Sequence, residues 1–287
     1  MEARCSSTCA QVDVANLKPK KVYYYQFIVD GTASMIGRSK TLPRANDKAP
    51  ERVNLAVASC AWLSPEDRHR IYRQFQFGKR ASLLMLDTRL TGRDPEQPSQ
   101  PFNTSDMRYF NSSRSLLGKE QHKWVRDNLL KAKDDRVTWA AGERGHIQDT
   151  ILQHAMDNVV VLTGDVHSSF AMDVPREQSK AYEPETGAGY DPTTGRGSLA
   201  VVMVCNAVSF DNLFRTQNRN VKYVQSLYKG ILHLELNKVE AAGTWVDVNT
   251  IRTRNCALTY SDTYFTALGT NRVQARPNPF KPRTPGP

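Results

Sequence analysis

The run Val159-Val-Val-Leu-Thr-Gly-Asp-Val-His-Ser-Ser169 sets a carboxylate and an imidazole two residues apart, directly after a short apolar stretch. A continuous apolar run of this length reads as a strand covered on both faces. Gly164 lets the backbone turn sharply where the strand ends. In open α/β sheets, ligands sit beyond the carboxyl ends of strands. Asp165 and His167, on an irregular loop there, can both be aimed into one site, and carboxylate plus imidazole suits a divalent or trivalent metal. A second reading makes Asp165 a turn cap and His167 an ordinary loop residue.

Two further strand ends carry candidate groups. Val57-Ala-Ser-Cys60 presents a thiol, which as thiolate can hold a metal or act as a nucleophile; a lone cysteine is also commonly just a small buried side chain. Leu84-Met-Leu-Asp87-Thr-Arg89 presents a guanidinium able to grip a phosphate with two parallel hydrogen bonds. Equally, Asp87 and Arg89 can form a structural ion pair. His69, His122, His146, His154 and His233 sit among charged or helical residues and read as surface or internally satisfied histidines. The sequence has no G-x-S-x-G elbow, no P-loop and no G-x-G-x-x-G between a strand and a helix. Cys5 and Cys9 have the spacing of half a metal site, but no second half follows, and the five cysteines define no disulfide framework.

The elements that must position these groups follow from pattern. Val53–Ser59, Ser82–Leu86, Val159–Thr163 and Ser198–Cys205 are short apolar runs expected to be strands of one sheet. Gly118–Ala132 reads as a helix with Gly118 as N-cap and Gln121 three residues on, Trp124, Val125, Leu129 and Ala132 marking its buried face. Glu143–Met156 is a weaker helix. His233–Leu236 and Thr244–Val248 look like a closing strand pair. Strands alternating with helices predict an α/β layered domain, a sheet with flanking helices. In front of it, residues 12–41 read as three strands, with a turn at Asp30-Gly31. The spacing Leu17-Lys-Pro-Lys-Lys-Val-Tyr23 resembles a tyrosine corner, in which Tyr23 bonds back to the backbone, so this segment is expected to be a partial β-sandwich. The expected division is residues 1–45 for that β-unit, 53–276 for the layered domain and 277–287 for an extended or disordered tail with five prolines.

Composition narrows the class. The chain has 287 residues, 39 Lys and Arg against 29 Asp and Glu, a net charge of +10, and 39% hydrophobic residues. Enough apolar material is present for a core, which excludes a disordered chain. No apolar run approaches the roughly 18 residues of a membrane-spanning helix, and Met1–Ala10 lacks the apolar segment of a secretory signal. The positive surplus favours anionic partners, but the basic residues are scattered and no specific nucleic-acid pattern is evident.

Taken together, the motifs resemble those of the PhoD-like alkaline phosphatases, of the metallophosphatase superfamily. Leu17–Phe27 and Gly37-Arg-Ser-Lys-Thr41 look like the end of that family's N-terminal β-domain, and Ala56–Cys60 like the first strand of its catalytic domain. Tyr72–Gly78 through Leu86–Arg89, Leu117-Gly-Lys-Glu-Gln-His-Lys-Trp124 and Val161–Ser169 match later segments. The resemblance implies a metal-dependent phosphatase or phosphodiesterase acting on phosphate esters, with iron and calcium as cofactors. Cys60, Asp165 and His167 would be metal ligands and Arg89 a substrate-binding residue. Family members are usually exported. The pattern also departs from the family: only Ala61–Arg70 lies where it places Gly-Asp-x-x-Tyr and Asp-Asp-His-Glu motifs, a second cut falls near Ala141–Arg144, and Val202-Met203 stands where it usually has Glu-Phe. A reduced ligand set implies weak metal binding, and with it a chain that is truncated in front, shortened inside and weakly active. The same gaps fit a non-catalytic remnant or an incomplete gene model, and the charge fits a basic anion- or nucleic-acid-binding protein.

Overall fold

A computed structural model describes residues 2–6, 9–58, 72–88, 117–142, 147–164, 168–205, 218–226, 228–249, 257–278 and 280. The first part is built of hairpins: β1 (Glu2–Ser6) with β2 (Cys9–Asp13), then β3 (Val22–Tyr25) and β4 (Ile28–Val29), which pair with β6 (Gly37–Lys40) and β5 (Thr32–Ala33) respectively. Asp30 and Gly31 turn this second hairpin with φ of 49° and 76°, the left-handed pair that a tight Asp-Gly turn requires. Tyr23 behaves as its spacing predicts: its hydroxyl accepts the Lys18 N–H at 2.8 Å.

The remaining chain forms two larger sheets. β7 (Arg52–Val57), β8 (Arg73–Phe77), β9 (Ala81–Met85), α1 (Gly118–Asp134), β10 (Trp139–Gly142), α2 (Ile147–Gln153), β11 (Val159–Thr163), β12 (Ser169–Pro175), β13 (Ser198–Val204) and β14 (Val221–Gln225) come first. They are followed by β15 (Lys229–Asn237), β16 (Glu240–Val248), β17 (Leu258–Tyr260), β18 (Thr263–Ala267) and β19 (Gln274–Arg276). The first sheet runs β14-β12-β13-β11-β10-β9-β8. Its centre, β9, β10, β11 and β13, is parallel, while β8, β12 and β14 are antiparallel to their neighbours. The second sheet is antiparallel, β19-β18-β16-β15-β7, with β17 also paired to β16.

The expected layered α/β fold is not what forms. Among the described residues there are nineteen strands and two helices, and helices cover only one face of the first sheet. Successive side chains of a strand point to opposite faces. Val159, Val161, Val202 and Val204 turn towards α1 and α2, against Val125, Leu129 and Ile151. Val160, Leu162, Val201 and Met203 turn the other way, against Leu232, Leu234, Leu236 and Trp245 of the second sheet. An apolar run shows that both faces are covered but not whether a helix or a sheet covers them. The Val53–Ser59 segment is corrected for the same reason. As β7 it lies in the second sheet, beside β15, and it alternates: Val53 is buried and Leu55 and Val57 pack on the core, while Arg52 and Asn54 are exposed. The expected closing pair is present as β15 and β16, with Leu232 opposite Trp245. The Glu143–Met156 helix is limited to Ile147–Gln153 among the described residues, and most of the Pro-rich tail lies outside them.

One polar cluster ties distant segments together inside this frame. The Asp173 side chain on β12 has no exposure. It accepts the Tyr190 hydroxyl at 2.6 Å and the Val273 N–H at 2.6 Å, with the Lys222 ammonium 3.5 Å away. The 182–197 loop, β14 and the approach to β19 therefore meet on one carboxylate. Burial pushes the Asp173 carboxyl above its ordinary 3.8, against the three partners that hold it down. A carboxyl with a higher pKa folded than unfolded adds stability in acid, and that share is lost as pH rises through the folded value. The expected outcome is that the unfolding free energy of the unaltered chain, relative to Asp173→Asn, is greatest near pH 4 and falls towards pH 7 in urea titrations. A difference that grows with pH would contradict this assignment.

Candidate metal and phosphate site

The parallel strands β9, β10, β11 and β13 all end at one edge of the first sheet. β12 runs the other way and so begins at that edge with Ser169, while β14, antiparallel to β12, ends there with its partner Gln225. The interior between the sheets is apolar, but the edge is polar and buried: Asp87, Ser168, Ser169, Ser226 and Asp247 are each less than 5% exposed. Buried polar groups of this kind persist when they are hydrogen-bonded. Gln225 donates its side-chain amide to Asp247 at 2.7 Å and accepts the Tyr228 N–H at 3.1 Å, linking the two sheets. The Ser169 hydroxyl is buried and has no hydrogen-bond partner among the described residues.

Three fixed points hold this edge. The residue after β13, Cys205, is fully buried. Its N–H donates to the Thr163 carbonyl at the end of β11, at 2.9 Å, and its thiol donates to the Val57 carbonyl at the end of β7, also at 2.9 Å. One residue thus joins the carboxyl ends of strands from both sheets. Trp245, buried in the second sheet, donates its indole N–H to the Val204 carbonyl at 2.8 Å. The third point is Gln121 on α1: its side chain accepts the Asp87 N–H and donates to the Asp87 carbonyl, both at 2.7 Å. Trp124, one turn further along, packs against Tyr72 with ring centroids 5.0 Å apart and the rings tilted by 60°.

The Leu117–Trp124 motif is therefore a clamp. Leu117 is buried, Gly118 opens the helix with φ of 68°, Gln121 holds the exit of β9 and Trp124 holds the approach to β8. The expected use of Gln121 as a helix cap is corrected. Leu117 stands at the N-cap without a side-chain cap, and the Gln121 amide is spent on Asp87.

Cys60, Arg89, Asp165 and His167 all lie outside the described residues. The residues that lead to them are described: Ala58 after β7, Thr88 after β9, Gly164 after β11 and Ser168 before β12. Among the described residues, no group of three or more His, Cys, Asp and Glu is arranged to hold a metal. His233 faces Asn54 at 3.2 Å across β15 and β7, and the His154 carbonyl accepts from Lys133. His69 and His146 lie outside the described residues, as do Cys256 and the side chains of Cys5 and Cys9. Sequence reasoning missed Ser169, Cys205 and the second role of Gln121. For Cys205 a signal existed, its place at the end of an apolar strand; for Ser169 there was only its neighbour His167.

These features define a mostly-β protein of two facing sheets, backed by helices on one side, with a buried polar edge where parallel strands end. The PhoD-like phosphatase family model matches residues 57–141 and 130–245. These matches span more than half of the chain, and the chain belongs to that family. Alkaline phosphatase D of Bacillus subtilis (strain 168) is 30% identical over 146 residues, covering 40% of this chain and 25% of that protein. The chain thus spans about a quarter of this curated relative's length. A solved structure described as "Structure of PhoD" superposes with a TM-score of 0.74 over 93% of this chain and 79% of that one, at 16% identity. That likeness is one of fold. Among the described residues, no helix is long and apolar enough to cross a membrane.

The Gln121 clamp is directly testable. Gln121→Leu removes both hydrogen bonds to the buried Asp87 backbone, at about 1–3 kcal/mol each. The expected loss is about 2–5 kcal/mol in urea unfolding, with hydrogen exchange at the Asp87 amide accelerated. A loss under about 1 kcal/mol would show that the clamp is not structural.

Proposed function

We propose that this chain is a metal-dependent phosphoester hydrolase whose site lies at the polar edge. The observation that carries the reading is Cys205, which fastens the ends of β7 and β11 to one residue. Cys60 follows Val57 by three residues and Asp165 follows Thr163 by two. At about 3.5 Å of chain per residue, both are within reach of a common centre. Membership in the PhoD-like phosphatase family supplies the reaction class.

The donor set indicates which metal suits the site. Thiolate, carboxylate and imidazole, from Cys60, Asp165 and His167, fit a transition ion such as iron. Calcium takes six to eight oxygen ligands, and this set offers one carboxylate, so calcium does not fit these three residues. Bound iron would supply Lewis acidity towards a phosphoryl oxygen. Asp165 and Cys60 contribute the negative charge that retains a cation, and His167 a neutral donor. Arg89 holds two non-bridging oxygens of a phosphate mono- or diester through its planar fork. Gln121 keeps the strand that leads to Arg89 in place through Asp87. The Ser169 hydroxyl, without a partner among the described residues, adds a donor at the same edge. In this reading residues 53–276 form the hydrolase unit and residues 1–45 a separate β-unit. With three ligands rather than a full set, turnover is expected to be slow, because ligands act together.

The test couples composition to rate. The full chain loaded with ferrous iron is expected to retain iron by elemental analysis and to hydrolyse bis-p-nitrophenyl phosphate slowly, with loss of activity on chelation. Asp165→Ala is expected to lose the iron and to reduce the remaining rate about a hundredfold or more. A chain that binds no iron, or a rate unaffected by Asp165→Ala, would overturn the proposal.

A further inference from the structure

Among the described residues, Asp247 is the buried carboxylate that the second sheet brings to the polar edge. On β16 it follows Ala241, Gly243 and Trp245 on the face turned to the first sheet, and it is 2% exposed. Leu232 of β15 stands opposite Trp245 on one side and Val57 on the other. Asp247 pairs with Gly230, two residues further out along β15. That is the direction in which the chain leaves Val57 for Cys60. A Cβ on Gly230 would come within 2.6 Å of the Asp247 Oδ1 and 2.1 Å of the Val246 carbonyl oxygen. The carboxylate thus lies in space that only a glycine leaves open.

The first sheet meets the same carboxylate from the other side. Gln225 donates its amide to Asp247 Oδ2 at 2.7 Å. Gln225 pairs with Ser169, which follows His167 by two residues. Ala171 packs between the sheets, so Ser169, two residues earlier, faces that space too. Its hydroxyl is buried there without a partner among the described residues. Asp247 therefore stands between the chain that leads out to Cys60 and the chain that leads back from His167.

We propose that Asp247 is a fourth ligand of the iron, supplied by the second sheet. The inference rests on the hydrolase reading and deepens it, because it adds a residue to the set of Cys60, Asp165 and His167. Buried charges are paired or coordinate metals. A ligating carboxylate is itself oriented by a hydrogen bond, and the Gln225 amide supplies one without adding charge. One thiolate and two carboxylates bring three negative charges, which offset those of an iron ion. Thiolate, imidazole and two carboxylates remain a set for a transition metal rather than for calcium, which takes more oxygens. A ligand on β16 also gives the ion a hold on both sheets, so that metal binding and the alignment of the sheets support each other.

The experiment measures metal on the full chain. Competition with a chelator gives the ferrous iron affinity, which Asp247→Asn is expected to lower about a hundredfold. The new amide can still accept from Gln225. The metal-free variant is therefore expected to keep its urea midpoint or raise it, since a buried charge is removed. Asp247→Cys exchanges one ligand for another. Loaded with cobalt(II), this variant is expected to show a stronger thiolate-to-metal absorption than the unaltered chain, because a second sulfur joins the ion. An Asp247→Asn affinity within about tenfold of the unaltered chain's, while Asp165→Ala releases the iron, would overturn this inference and leave the hydrolase reading standing. So would an unchanged cobalt absorption in an Asp247→Cys chain that keeps its urea transition, or a metal-free Asp247→Asn chain that has lost stability, since the carboxylate would then be structural. An unaltered chain that binds no iron would overturn both readings.

Discussion

The architecture rests on β13 and the residue that follows it. Ser198–Val204 is apolar on both sides of the strand: Val202 and Val204 pack towards the helices, and Val201 and Met203 towards the second sheet. Cys205 then extends this central position to the edge, where its N–H holds β11 and its thiol holds β7. Sheets that face each other through side chains alone can slide. A directional hydrogen bond at the edge sets how their ends are aligned, and that alignment decides which loops meet.

The contrast between interior and edge is a physical division of labour. The space between the sheets is filled by Val, Leu, Met and Trp245, which need only volume and shape. The edge contains carboxylates, amides and hydroxyls that would be costly to bury without partners. Gln121 on Asp87 and Gln225 on Asp247 meet that cost with neutral amides, each satisfying two groups. Amides are well suited to this, since they donate and accept without adding charge.

The segments matched by the family model, residues 57–141 and 130–245, include β9, β10, β11 and β13, whose ends form the polar edge. The Asp173 cluster lies away from the edge, towards the other end of β12, where it fastens the 182–197 loop and the approach to β19. Stability and candidate chemistry are thus carried by different groups of residues.

Much of the element pattern was legible in the residues themselves. The apolar runs read as Val53–Ser59, Ser82–Leu86, Val159–Thr163 and Ser198–Cys205 hold β7, β9, β11 and β13, the helix read over Gly118–Ala132 is α1, and Tyr23 makes the backbone bond that its spacing from Leu17 and Pro19 predicts. These are local signals, set by side-chain period and turn chemistry. What covers each face was not legible. A strand apolar on both sides looks the same whether a helix or a sheet lies over it, so the second sheet, with β7 as its edge, emerged only in three dimensions. The role of Gln121 was hidden for a related reason. Its position suits a helix cap, but its partner Asp87 lies 34 residues earlier, and only the packing of α1 on β9 brings the two together. The sequence determined the elements and their polar ends; the tertiary structure decided which ends meet, because that depends on hydrogen bonds between segments far apart in the chain.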